Sequence, residues 1–433
     1  MDNIVKNKNK FSSNNLMFND IERLWSTEPY KKFQYKLKPK NLTLMVLLHV
    51  FSLGIRYNFT CFLCIVLLIL FHPNLRIFSR DADLLFYGNS KNNKRVFKKL
   101  NKILADKKYT KCFGNKSAPL IYRIQTILNL KKIQVITNDL IHYKKSDSFF
   151  AFQLLTAAAA RIYFEKHMLD CKAKILILAN DHSPMQVGIR DASHELGIHS
   201  VYCQHAPISK LYPPLKFSLS ILSDQASLST YKKCGSIIGE TTILASFDDS
   251  FISFFPIDTI SVVGFCLSKV WSKKHTIKRL KELCAHPTVR RIILRSHPEN
   301  DRCIKALLAV DDCIEENKYQ NSVMDFANSC DLIVVPGSGI TIELLHYGKA
   351  CIYLNDIDQL GSDPHNFVSV GLLPDYSQQS LSDLNININK FFNDNWLEIF
   401  KQYDPTISYS INYLKQIVRI QIFKLLNSKE TNN

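Results

Sequence analysis

From about Asp81 onward, short apolar runs bounded by turn residues alternate with longer stretches whose apolar positions recur at helical spacing. The runs that read as strands are Asp83–Tyr87, Ile133–Thr137, Lys174–Ala179, Ser200–Cys203, Leu219–Leu222, Thr259–Val263, Arg291–Leu294, Leu332–Val335 and Ala350–Leu354. Helical patterns fill several of the intervals, among them Phe149–Leu169, Met185–Leu196, Ile304–Glu316 and Ile340–Tyr347. Strand, helix and strand in repetition predict an α/β chain with parallel sheets and helices on both faces. In such folds ligands collect beyond the carboxyl ends of the strands, so the residues that follow each run are where chemistry is to be sought.

Four strand ends carry reactive or ligand-binding side chains. They are Asn180-Asp181-His182-Ser183-Pro184, Gln204-His205-Ala206-Pro207, Arg295-Ser296-His297-Pro298 and Pro336-Gly337-Ser338-Gly339. Two fall in the first half of the pattern and two in the second, which predicts two sheet domains facing a cleft. In the last of them, Gly337 and Gly339 let the backbone approach a ligand, and Ser338 and Thr341 offer hydroxyls. The helix that starts there turns free N–H groups and its positive end toward an anion, so a phosphate or diphosphate is the natural guest. Glu343 lies within reach of ribose hydroxyls. A tight strand-to-helix connection without a ligand gives the same Gly-Ser-Gly pattern. The imidazole of His297, directly after a strand, can contact a phosphate or a leaving-group oxygen, or simply cap the turn. His205 or Asp181 can take a proton from an acceptor hydroxyl as general base.

The chain before Asp81 has another character. Residues 1–20 are polar, and no apolar stretch follows the first basic residues closely enough to make a signal peptide. A long apolar stretch runs from Leu42 to Phe71, interrupted by Arg56, Tyr57 and Asn58. Each half is about 14 residues, short of the ~20 that a spanning helix needs. Lysines precede the stretch, and Arg76 and Arg80 follow it. Positive charge on both flanks suits an interfacial or re-entrant hairpin with both ends in the cytoplasm. The competing reading is a helical pair buried in a soluble domain.

The overall charge sharpens this picture. The chain of 433 residues carries 55 basic and 38 acidic side chains, a net +17, which implies an anionic partner. The excess is concentrated from Lys91 to Lys132, where thirteen basic residues face one acid, Asp106. Beside an apolar hairpin, such a block would hold anionic headgroups. A solvated basic helix is the plain alternative, and nucleic acid is not favoured, because no zinc-finger, RNA-recognition or basic-zipper signature accompanies the block. An apolar fraction of 46% excludes wholesale disorder. The 12 cysteines form no disulfide framework and no zinc spacing, which favours a reducing compartment and predicts no metal site. The single CxxC, Cys61 to Cys64, lies inside the apolar stretch and reads as filler.

Taken together, these segments resemble bacterial glycosyltransferases of GT-B architecture that build surface polysaccharides, in particular the cluster using cytidine-nucleotide donors. That cluster contains the CMP-sugar enzymes (sialyl-, polysialyl- and Kdo transferases) and the teichoic-acid-type glycerophosphotransferases. The likeness rests on Arg295-Ser296-His297-Pro298, on the run from Asp331 through Gly337-Ser338-Gly339 to Thr341 and Glu343, on Tyr347-Gly348-Lys349-Ala350-Cys351-Ile352, and on Val263-Gly264-Phe265. Gln204-His205-Ala206-Pro207 is similar to the "WHGTP" step of the glycerophosphotransferases, with Gln for Trp and Ala for Gly. The turn at 336–339 departs from the Asp-Tyr-Ser-Ser form of that branch, which leaves the donor open.

The resemblance covers roughly Lys174 to Leu354 and implies a GT-B-like fold with an acceptor domain (81–255), a nucleotide-donor domain (256–395) and a helical tail (396–433) that crosses back to the first domain. The polar N-terminus plus hairpin (1–80, apolar at 42–71) lies outside the resemblance and is read from the residues alone. It implies a metal-independent transfer from a CMP- or CDP-linked donor, with no further cofactor, to a capsule- or lipopolysaccharide-type glycan or glycolipid, at the cytoplasmic face of the bacterial inner membrane. Arg295, His297, Gly337, Ser338, Gly339, Thr341, Glu343 and Gly264 would surround the donor. His205, Asp181 and His297 would be catalytic. A CDP-polyol phosphotransferase, a UDP-sugar transferase or nucleotide-sugar epimerase, and a non-enzymatic polyanion-binding protein are the rival readings.

Overall fold

The computed structural model describes residues 13–25, 57–88, 90–105, 109–114, 116–140, 148–254, 256–268, 271–297, 304–317, 322–358 and 363–428. The first sheet contains β1 (Leu84–Tyr87), β2 (Lys111–Phe113), β3 (Ile175–Leu178), β4 (His199–Cys203), β5 (Lys216–Leu222) and β6 (Ile238–Ile243). Their order is β2-β1-β3-β4-β5-β6, with every neighbouring pair parallel. The second contains β7 (Val262–Cys266), β8 (Arg291–Arg295), β9 (Ile314–Asn317), β10 (Leu332–Val335) and β11 (Ala350–Tyr353), in the all-parallel order β11-β10-β7-β8-β9. Two doubly wound sheets facing one cleft make the GT-B-like fold. In each, the chain reverses direction across the sheet beside its first strand; in the second domain the cleft lies at that switch point, beyond β7 and β10, whereas in the first it lies beyond β4 and β5.

The helices of the first domain are α1 (Ser13–Trp25), α2 (Tyr57–Phe71), α3 (Lys91–Ile103), α4 (Leu120–Ile127), α5 (Leu130–Asp139), α6 (Ser148–Met168), α7 (Pro184–Glu195) and α8 (Gln225–Cys234). The second domain has α9 (Lys273–Cys284), α10 (Lys305–Leu308), α11 (Val323–Asn328), α12 (Ile340–His346) and α13 (Asp394–Phe400). The last helix, α14 (Ile411–Asn427), returns to the first domain, where Val418, Ile422 and Leu426 pack with Phe97 and Leu100 of α3. The Ala226 amide donates to the Gln402 carbonyl at 2.8 Å where the tail crosses.

Alternation along β1 divides the first domain into two layers. Leu84 and Phe86 face α3 and α14, whereas Leu85 and Tyr87 face the layer of α1, α2, α5, α6 and α7. Within that layer α6 and α7 pack very closely. A methyl group on Gly188 would sit 2.3 Å from the Ala157 carbonyl oxygen, so the alanine run of α6 and this glycine specify each other.

The described residues before Asp81 pack into the core of the first domain. Met17, Phe18 and Ile21 of α1 are fully buried in the first core, as are Cys61, Cys64, Ile65, Leu68 and Ile69 of α2. Asp20 fixes α1 in place by accepting from Arg190 of α7 at 2.9 Å and from Lys216 of β5 at 2.6 Å. Breaking such a buried pair costs about 3–5 kcal/mol, since it strands a charge without water. The second arm of the expected hairpin is therefore a core helix; its first arm, 42–56, lies outside the described residues. No helix of the described residues is long and apolar enough to cross a membrane. Cys64 fits the filler reading, since burial pushes its thiol up to about 12.

Three other expectations change. Ile133–Thr137 is part of α5, where Ile133, Ile136 and Thr137 are buried and Val135 is exposed. That is helical spacing beneath a β-branched composition. Ile304–Glu316 is not one helix: α10 ends at Leu308, a turn follows in which Asp311 accepts from the Cys313 amide at 2.9 Å, and β9 begins at Ile314. The strand expected at Thr259–Val263 lies three residues later, at Val262–Cys266.

Candidate functional site

A cleft of about 510 Å³ separates the two sheets and is lined by strand ends from both. The first domain contributes Gln204, His205, Ala206 and Pro207 after β4 and Ser223 and Asp224 after β5, with Lys91 and Arg95 of α3. The second contributes Leu267 and Ser268 after β7, Arg295, Ser296 and His297 at β8, and Gly337, Ser338, Gly339 and Glu343 after β10. Three of the four strand ends singled out by sequence thus meet in one cavity. Pro298 lies outside the described residues.

His205 is held at the floor of the first wall. Gln204 braces its loop by donating to the Ala206 carbonyl (2.9 Å) and the Ser227 hydroxyl (2.8 Å) and accepting from the Ser223 amide (2.9 Å). The His205 Nδ1 is buried and meets no partner among the described residues. Burial, then the neighbouring His182, lowers its pKa, with the Ala179 backbone and Asp181 opposing. A neutral imidazole with a free nitrogen at a cleft wall is a competent proton acceptor.

Asp181 does not reach the cleft. Its carboxylate is buried, accepts from the Tyr231 hydroxyl at 2.6 Å and sits 2.9 Å from the His182 Nδ1. It ties the end of β3 to α8 and contributes a field behind His205, so the expectation of a base at this position is corrected. His182 packs against Tyr212 in a tilted pair, ring centroids 4.2 Å apart, and Tyr212 lines the cleft in its stead.

On the second wall, Arg295 is 7% exposed. Its guanidinium lies over the Phe326 ring, 5.4 Å from the centroid, and donates to the Asn317 side chain. Glu343 has its pKa raised by burial, while Arg95 from the first domain and Arg295 from the second pull it back. The carboxyl thus lies in the field of a guanidinium from each side of the cleft.

The glycines and Thr341 need other readings. Gly264 lies in mid-β7, where an added methyl would come 2.8 Å from Phe326 and 2.9 Å from Cys330 Sγ; helix packing, not a ligand, demands it. Gly337 is demanded by Pro364, 2.7 Å from the position of a Cβ, though its edge still faces the cavity. Gly339 lies against Pro207 of the first domain, 3.1 Å from a Cβ position, and so marks where the two walls touch. Thr341 is fully buried, its hydroxyl turned back to the Pro336 carbonyl at 3.4 Å, so it closes the turn and holds no ligand. Asp331, the acid that begins the quoted motif, accepts from the Ser261 and Val262 amides at 2.9 and 2.8 Å. It fixes the start of β7 and is structural.

Sequence reasoning missed several cleft residues: Arg95, Asp224, Asp358, His365 and Tyr403. Asp224 caps α8 through the Ser227 amide at 2.7 Å, and burial pushes its carboxyl up to about 7. His365, from the second domain, is half-buried against the Ile208 backbone of the first, and desolvation pushes its pKa down to about 4. No motif marks these positions. Arg95 alone had a signal, the basic block. Behind the cleft, the buried His346 of α12 joins Asp404 of the crossing tail (2.6 Å) and stacks on Phe247 of the interdomain segment, centroids 4.0 Å apart. Among the described residues, the grouping able to hold a metal is Cys284, Asp311 and Cys313, which lies away from the cleft.

No known family profile and no curated protein matches the sequence. Solved structures align with it at low similarity. CalG4, the calicheamicin glycosyltransferase, aligns at a TM-score of 0.49 and 10% identity over 80% of this chain and 99% of its own. MurG of Acinetobacter baumannii aligns at 0.42 and 11%, over 79% and 99%. The wall teichoic acid polymerase TagF aligns at 0.42 and 8%, over 80% and 90%. At these identities the likeness is one of fold alone.

Proposed function

We propose that the protein is a membrane-associated glycosyltransferase that moves a sugar from a nucleotide-activated donor, a CMP-sugar in the first place, to a growing capsule- or lipopolysaccharide-type glycan. The observation that carries this reading is the convergence on one cleft of His205, whose buried Nδ1 has no partner among the described residues and whose pKa is lowered, with Arg295, His297, Ser338 and Glu343. One wall has a proton acceptor and the other has groups suited to a nucleotide phosphate and ribose.

The chemistry follows from that division. The acceptor hydroxyl oxygen bonds to the anomeric carbon as the bond from that carbon to the donor phosphate oxygen breaks. The proton passes to His205. The electron pair leaves with the phosphate, whose charge is met by Arg295 and by hydrogen bonds from Ser338 and His297. Glu343 accepts from the ribose hydroxyls. With side-chain cations at the phosphate, the transfer is proposed to need no metal.

Membrane association is supported by a surface the sequence did not single out. Leu120, Ile121 and Ile124 of α4 are 59%, 57% and 41% exposed, and Leu128 is 73% exposed at the helix end. Positions i, i+1, i+4 and i+8 form one apolar helix face open to solvent, and Leu130 and Val135 of α5 extend it. Lys116 and Lys131 are exposed beside it. An apolar face rimmed by lysines suits the interface of an anionic bilayer, here the cytoplasmic face of the inner membrane.

The test is a binding titration against CMP, CDP, UMP and UDP, with and without magnesium. Cytidine preference that is independent of magnesium and lost in Arg295→Ala supports the reading. Uridine preference moves the donor to UDP-sugars, and failure to bind any nucleotide overturns the transferase.

A further inference from the structure

α3 is a helix whose charges work against its own stability. Its thirteen residues include Lys91, Lys94, Arg95, Lys98, Lys99 and Lys102 and no acid. The pairs 91/95, 94/98, 95/99 and 98/102 place like charges at i,i+4, which is unfavourable. Lys91 and Lys94 also lie in the first turn, the end where the helix dipole disfavours cations. Asp248 neutralises Lys99 at 3.3 Å, but Lys94, Arg95, Lys98 and Lys102 have no ion pair among the described residues.

The cations form a continuous path to the chemistry. Lys91 and Arg95 line the interdomain cleft, and Arg95 also borders the small recess beside His205 and Gln204. One turn further out, Lys94 and Lys98 line a groove of about 510 Å³ together with Phe86 and Phe113. Phe113 is partly exposed and stacks on Phe86 with centroids 4.6 Å apart, giving an apolar plate within the basic groove. One cation per helical turn, about every 5.4 Å, is a spacing on the scale of a sugar ring.

A bilayer does not fit this surface as well as it fits α4. The apolar face of α4 and α5 belongs to the layer on one side of the first sheet, and α3 lies on the opposite side. The two surfaces therefore call for different anions.

We propose that α3 is a track for an anionic acceptor: a glycan bearing a carboxylate or phosphate in its repeats, whose growing end passes Arg95 to reach His205. The role rests on the transferase reading; the binding itself does not.

The test uses the full chain and three labelled probes: a sialic acid oligomer, a poly(glycerol phosphate) oligomer and neutral maltohexaose. At least one anionic oligomer should bind, more weakly as salt rises, and maltohexaose should not. Lys94→Ala/Lys98→Ala should weaken that binding by about tenfold, since two close cations are removed from a screened site. Lys94→Arg/Lys98→Arg should keep it, and CMP affinity should be the same in all three proteins. Equal binding of neutral and anionic oligomers, or no change in the double alanine variant, overturns the track. So does a double-variant defect confined to phosphatidylglycerol vesicles or to single-stranded DNA. Nucleotide binding without oligomer binding sinks the track and spares the transferase. Oligomer binding without nucleotide binding does the reverse to the transferase.

Discussion

The two walls of the cleft solve the problem of anion binding in opposite ways. On the second domain a single guanidinium, Arg295, is buried, lies over Phe326 and is anchored on Asn317. On the first domain Lys94, Arg95, Lys98 and Lys102 of α3 are exposed and have no ion pair among the described residues. A fixed, desolvated fork holds one phosphate in one place, because little entropy remains to be lost and water does not screen it. A row of solvated lysines holds any member of a repeating anion and lets it move. On the proposed function, the contrast would separate a donor that must be positioned from an acceptor that must be passed along.

The largest effect expected is on the proton acceptor. His205→Ala should lower kcat for donor consumption by about 10²–10⁴-fold, the usual worth of a general base, with nucleotide affinity unchanged. A parallel fall in affinity would place His205 in the donor site and erase the distinction between the walls.

Next is Arg295→Lys, which keeps the charge and loses the planar fork. Nucleotide affinity should fall about 10- to 100-fold by isothermal titration, the value of one or two charge-assisted hydrogen bonds. An unchanged affinity would mean that the second wall is as loose as the first.

A smaller effect is expected at the membrane. Ile121→Asp/Ile124→Asp should reduce co-sedimentation with phosphatidylglycerol vesicles severalfold, each buried side chain being worth about 1.5–3 kcal/mol. Retained sedimentation would send the search for the contact back to residues 42–56.

The most specific effect, on stability rather than on binding or turnover, concerns Asp224. Its folded pKa of about 7 lies above the ordinary 3.8, so the folded state prefers the protonated carboxyl. The sign follows by linkage: folding is undisturbed by this group below pH 3.8 and loses stability as pH rises through 7. Asp224→Asn keeps the cap of α8 and removes the penalty. Its gain in Tm over wild type should be larger at pH 8 than at pH 5, up to about 4 kcal/mol in stability for a shift of this size. An equal difference at both pH values would contradict the assignment. Because burial lowers the pKa of His205 from its ordinary 6.5, a pH profile of kcat/KM should show activity falling on the acid side only below pH 6.5, as protonation removes the base.

The sheets were legible because their strands are short apolar runs in a parallel setting, and β1, β3, β10 and β11 are buried at every position. The edge strands β2, β6 and β9, unlike the fully buried β11, escaped notice for the same reason. β6 is mostly exposed and broken by a register shift next to Gly239, whose φ is +82°, so it carries no apolar run. Strand-end motifs located His205, Arg295 and Ser338 because such ends converge on the cleft. Side chains brought in from elsewhere, such as His365 and Tyr403, have no local pattern to announce them. Burial also reversed several roles: Asp181, Gly264 and Thr341 look like ligand groups in the sequence and are internal braces in the fold.

The central claim is that the cleft transfers a sugar from a nucleotide. It is tested most directly by measuring release of free nucleotide from a panel of CMP- and UDP-sugars by the full chain, with and without anionic oligosaccharide. Acceptor-dependent release from one donor class, absent in His205→Ala, is the predicted result. Nucleotide binding with no release from any donor, under either condition, would contradict it.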